Sequence, residues 1–179
     1  MKVRSLLLLC IIAALCLAGC EKDGADDSGS DTPKATATPT ITEAPKGTVE
    51  SWGIYKEIFI PEGMKLTPGS QLDKEDPNGV WVQQTSNLLN YYLFIVSTEE
   101  QCVKDVEATK EYNKESNPED VTLMTGDIAW KGVTYKYQGT TDVAQMYAVI
   151  GDKVINVRFG GFAYDSDITK SILGSLKLD

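Results

Sequence analysis

The sequence contains no histidine. That one absence excludes Ser-His-Asp and Cys-His nucleophilic arrangements, His-x-Glu metal motifs and the commonest general base. There is also no Gly-x-Ser-x-Gly, no Ser-x-x-Lys, no Cys-x-x-Cys and no phosphate loop ending in Gly-Lys-Ser/Thr. The apolar run Leu6 to Ala18 has thirteen residues, short of the roughly 20 that a membrane-crossing helix needs. No aromatic side chain precedes Trp52, and all fifteen lie between Trp52 and Tyr164. A core can form only in that part of the chain.

Positive charge is in short supply as well. With 17 Lys and Arg against 26 Asp and Glu, the formal charge is −9. An acidic chain repels phosphate backbones, so nucleic acid is excluded as a partner. The domain itself is not drawn to an anionic bilayer either, and attachment to a membrane requires a lipid. Within the domain the charges are of mixed sign, as on a solvated surface.

What is present begins with Lys2 and Arg4 ahead of the apolar run, the layout of an export signal. Leu17-Ala18-Gly19-Cys20 resembles the lipobox of bacterial lipoproteins. The resemblance implies that residues 1–19 are removed as a signal peptide. Cys20 then becomes the N-terminus and carries a diacylglyceryl thioether, with the protein held at the outer face of the cytoplasmic membrane. Two acyl chains hold a soluble domain firmly where one is marginal. Cys10 and Cys16 leave with the signal, so Cys102 stands alone and no intramolecular disulfide forms. With Val103 and Val106 beside it, Cys102 is expected to be a small buried hydrophobe.

Residues 20–48 form the lipidated Cys and a Thr-, Pro- and Asp-rich segment with Pro33, Pro39 and Pro45. This composition cannot offset chain entropy by burial, so a disordered tether is expected, spanning on the order of 30 Å. Residues 49–179 are expected to be one globular domain.

In that domain Trp52 to Ile60 alternates as a strand, and Pro61 to Gly79 reads as a long, Pro- and Gly-punctuated surface excursion. Val80 to Gln83 and Asn90 to Ser97 follow as strands. The second is apolar on both sides and calls for helices above and below. Thr98 and Gln101 form a capping box for a helix that Asn117-Pro118 stops. Val121 to Met124, Gly132 to Gln138, Val143 to Ile150 and Val154 to Phe159 are strands, the last three an antiparallel meander turned by Gly151-Asp152. Asp165-Ser166-Asp167 offers the cap of a second helix, with Gly174 as its stop. This order, with the Pro61-Glu62-Gly63-Met64 loop and the terminal Ser171-Ile172-Leu173-Gly174-Ser175-Leu176-Lys177, resembles the PsbP-like domains of small bacterial lipoproteins. The fold expected is α+β: a mainly antiparallel twisted sheet of about six to seven strands flanked by helices, an α/β/α sandwich. Such domains mostly bind or assist other macromolecules, and the resemblance brings no catalytic motif with it.

The remaining candidates are few. Asp127, Asp152, Asp165 and Asp167 sit at element ends, where a carboxylate pair would serve glycoside hydrolysis, although turn and cap roles explain each. Asp73 to Gly79 fails as a calcium loop, because Lys74 falls at the first ligand and Thr85 at the bidentate position. Trp130 and Trp81 invite a stacking role or core packing. Trp81, beside the Pro61–Gly79 excursion, is the expected rim of a binding surface. The reading is a membrane-anchored, non-catalytic binding or accessory module with no cofactor and no metal. Its expected partners are the membrane through the lipid and an envelope protein or cell-wall ligand. A carboxylate-dependent cell-envelope hydrolase and a structural or assembly protein of the envelope are the alternatives.

Overall fold

Seven antiparallel strands form the main sheet, and a second sheet of three closes over one of its faces. The computed structural model describes residues 43–69 and 78–179. Cys20, the expected signal and most of the expected tether lie outside the described residues, as does the segment 70–77 of the expected surface excursion. The elements in order are β1 (Gly47–Trp52), β2 (Tyr55–Pro61), β3 (Met64–Pro68), β4 (Val80–Gln84), β5 (Tyr91–Ser97), α1 (Glu99–Tyr112), β6 (Glu119–Thr125), β7 (Ile128–Tyr137), β8 (Thr141–Ile150), β9 (Lys153–Gly160), α2 (Asp167–Gly174) and β10 (Lys177–Leu178). The main sheet runs β3-β4-β5-β9-β8-β7-β6 and the small one β1-β2-β10.

Three local readings of the sequence change here. The first strand is a hairpin: β1 and β2 join at Trp52↔Tyr55 around Gly53, whose φ of +57° suits glycine. Gly47 and Thr48, the end of the expected tether, are paired in β1 with Pro61 and Ile60. The excursion after Pro61 contains β3, paired with β4 along its length from Met64↔Gln84 to Pro68↔Val80. Proline is tolerated there because β3 is an edge strand. Lastly, β7 begins at Ile128 rather than Gly132, because Gly126 and Asp127 make a two-residue turn closed by Thr125↔Ile128. Gly132 lies inside the strand, where a side chain would collide with the Gln145 carbonyl oxygen.

The core lies between the two sheets. Val80, Val82, Tyr92, Phe94, Met146, Ile155, Val157, Phe159 and Trp130 are fully buried on one face of the main sheet. Against them pack Tyr55, Ile58 and Ile60 of β2 and Ile172, Leu173 and Leu176 at the end of the chain. Each such side chain contributes roughly 1.5–3 kcal/mol. Tyr92 lies between Phe159 and Phe162, with ring centroids 4.9 and 5.4 Å away. The Thr169 hydroxyl donates its one proton to the Ala163 carbonyl at 2.8 Å, so the Tyr92 hydroxyl donates to Thr169 Oγ1 at 2.7 Å. This bond ties α2 to β5. Alternation along β2 slips between Tyr55 and Ile58, opposite irregularities in both neighbouring strands.

The opposite face is covered by α1. Thr98 caps this helix by accepting from the Gln101 amide at 3.2 Å, while the Gln101 side chain goes to Asp105 instead of back to the cap. Cys102 and Val106 are its buried residues. Helices were expected on both faces of β5. One face has α1; on the other, α2 shares the cover with the small sheet, because β2 brings three large apolar side chains that no helix was needed to match.

Candidate functional site

α1 does not cover the whole of its face. It crosses β8 and β7 and leaves the part toward the β7–β8 turn open as a groove of about 590 Å³. The register builds the groove's floor from two cross-strand rows. Tyr91 pairs with Gly160, Gly160 with Val143, and Val143 with Tyr135, making one row across four strands. One step along lies the row Leu93, Arg158, Gln145 and Val133. Three inter-strand spacings set the Tyr91 and Tyr135 backbones about 14 Å apart. Between these two rings the row holds only a glycine and a valine, so its middle is a trough.

The helix supplies the opposite wall. Asp105, Ala108, Thr109 and Tyr112 follow the i, i+3, i+4, i+7 spacing of one helix face, and all four line the groove. The mouth is apolar and exposed: Leu89 is 68%, Tyr137 52% and Tyr112 93% accessible. Large apolar groups so exposed around one concavity mark a place where something docks.

Burial pushes the phenol pKa of Tyr91 up, and the nearby Arg158 charge opposes this. At Tyr135 burial also acts first, with Tyr91 and Tyr137 adding to the rise and Arg158 opposing it. Both phenols are therefore neutral at pH 7 and able to donate as well as accept. Among the described residues the groove is lined by one carboxylate, Asp105, whose Oδ1 accepts from Gln101 Nε2 at 2.7 Å and Oδ2 from Asn156 Nδ2 at 3.1 Å.

The residues singled out in the sequence lie mostly elsewhere. Trp81 is on the groove's side of the sheet, opposite Leu93, but its ring packs on Tyr91 with centroids 5.2 Å apart. It buttresses the groove wall from outside. Trp130 is fully buried and donates from Nε1 to Thr125 Oγ1 at 3.0 Å, a core role. Cys102 is fully buried beneath α1, and burial raises its thiol pKa. Asp127 sits in the β6–β7 turn and Asp152 in the β8–β9 turn, where Lys153 at 3.1 Å pulls the Asp152 pKa down. Asp165 and Asp167 flank the α2 cap Ser166. None of the four lines the groove. Cys20 lies outside the described residues.

Sequence reasoning missed Tyr91, Tyr135, Arg158 and Gln145 as a set. A signal existed in Tyr135 and Tyr137, two large aromatics on one face of a strand whose other face carries Thr134, Lys136 and Gln138. Among the described residues no group of three or more Cys, Asp or Glu is placed to hold a metal ion, and no helix is long and apolar enough to cross a membrane. Neither protein-family models nor curated protein sequences yield a match to this chain.

Proposed function

We propose that this chain is a lipid-anchored extracytoplasmic protein whose domain is a non-catalytic binding module, with the groove between α1 and the main sheet as its binding site. The observation that carries the reading is the trough itself: a concavity of about 590 Å³ walled by tyrosines, with one arginine in its floor. Ligand sites are commonly this size, mostly apolar, with a few converging polar groups. The anchor rests on Lys2, Arg4, the apolar run and Leu17-Ala18-Gly19-Cys20. Element order, a helix on each side of the main sheet and the terminal Ser171 to Lys177 stretch support kinship with PsbP-like domains and their α/β/α layering. That one carboxylate lines the groove among the described residues favours binding over the hydrolase alternative, since acid–base hydrolysis of a sugar bond uses two.

Native mass spectrometry of the full chain, extracted from its membranes in mild detergent, tests both halves. The expected mass begins at Cys20 with lipid attached and carries a small-molecule adduct that Tyr135→Ala removes. A chain starting at another residue contradicts the anchor. An adduct unaffected by Tyr135→Ala removes the groove from consideration, and hydrolysis of cell-wall glycans or peptides by the purified chain overturns the non-catalytic reading.

A further inference from the structure

The polar floor of the groove is built from donors. Among the described residues every ion pair is made by a lysine, and Arg158, exposed in the trough, has no carboxylate partner. Its guanidinium gives one Nη2–H to Gln145 Oε1 at 3.2 Å, leaving its other N–H groups uncommitted. Gln145 is only 2% accessible, and its Oε1 also accepts from the Thr109 hydroxyl at 2.6 Å. An arginine only donates, so the amide oxygen is the atom facing Arg158 and Nε2 is the atom left over. That nitrogen has no hydrogen-bond partner among the described residues, in a side chain that lines the groove. It is therefore a donor open toward the groove, free to meet an acceptor on a ligand.

We propose that the groove takes a small organic carboxylate with a flat apolar body, its carboxylate held by Arg158 and Gln145 Nε2 and its body lying between Tyr91 and Tyr135 over Gly160. This rests on the reading of the groove as the binding site. A guanidinium binds a carboxylate through two parallel hydrogen bonds, and a second donor beside it fixes the approach. The tyrosine rings offer flat faces for an apolar body, with neutral phenols that do not repel the acid. Gly160 keeps the floor clear: a side chain there would meet the Leu89 carbonyl oxygen at 3.1 Å and Tyr91 Cε1 at 3.2 Å. Among the described residues Asp105 makes no ion pair with Arg158; its two oxygens accept from Gln101 and Asn156. In a chain of charge −9, one unpaired cation at the base of an apolar trough selects against neutral ligands of the same shape.

The test is equilibrium dialysis of the full chain in lipid nanodiscs against 3-phenylpropanoate and its neutral isostere 3-phenylpropanamide. The expected result is about tenfold tighter binding of the acid. In Arg158→Gln the acid should fall to the level of the amide, and because Arg158 is exposed this variant keeps the fold. Tyr135→Ala should weaken both probes together. Equal binding of acid and amide by the wild type, both lost in Tyr135→Ala, overturns the carboxylate assignment and leaves the groove as the site. No binding of either probe at about 10 mM overturns both. A hexapeptide with a free C-terminal Phe that binds about tenfold tighter than 3-phenylpropanoate assigns the groove to a protein C-terminus and overturns the small-acid proposal.

Discussion

The two faces of the main sheet are made from the same strands and differ in how they are covered. Alternate residues of β8 show it: Ala144 and Met146 face the small sheet and α2 and are wholly buried, whereas Val143, between Gly160 and Tyr135, lines the groove. The closed face is apolar and interdigitated, with Trp130, Tyr92, Phe94 and Phe159 at full burial. The open face lines the groove with Arg158, Gln145, Tyr91, Tyr135 and Tyr137 beside a helix that covers only part of it. One face therefore supplies stability, and the other is free to vary its side chains without disturbing the core.

Breaking the closed face should have the largest effect. Phe94→Ala removes a fully buried ring that packs edge-on against Tyr55 at 6.2 Å, and should cost about 3–5 kcal/mol in urea unfolding. Tyr92→Phe is a smaller break. It loses the 2.7 Å bond to Thr169, leaving α2 less firmly tied to β5, for about 1 kcal/mol. Burial holds the Tyr92 phenol far above its ordinary range. The native state thus keeps a proton that the unfolded chain gives up near pH 10, so stability is fully present below that pH and falls as pH rises above it. Urea titrations across the alkaline range should show this decline, and Tyr92→Phe should flatten it. On the open face, Tyr137→Ala removes a half-exposed ring at the groove mouth and should change stability by less than about 0.5 kcal/mol. The same substitution should weaken ligand binding, which separates the faces in one variant.

Local chemistry was legible in the sequence where it is self-contained. Thr98 caps α1, Gly151-Asp152 turns β8 into β9 with φ of +64° at the glycine, and Ser166 caps α2. The small sheet was not legible. All six residues of β1 are exposed, so it shows no buried face, and β10 is two residues long and gains its place only by pairing with β2. The groove was not legible for a different reason. Tyr91 and Gly160 become neighbours because β5 pairs with β9, across the whole of α1, β6, β7 and β8. No spacing along the chain announces that pairing. Trp81 was singled out as the most conspicuous aromatic near a loop, and it is its neighbour Tyr91 that lines the groove.

The contrast between the faces is tested most directly by methyl NMR of the full chain in nanodiscs, titrated with 3-phenylpropanoate. Val143 and Ala144 are adjacent in sequence and on opposite faces, so each is the other's control. The account predicts that the methyl signals of Val143, Ala108 and Leu89 move with added acid while those of Ala144, Ile155 and Val157 stay in place. Movement of Ala144, Ile155 and Val157 with Val143 unmoved would contradict it.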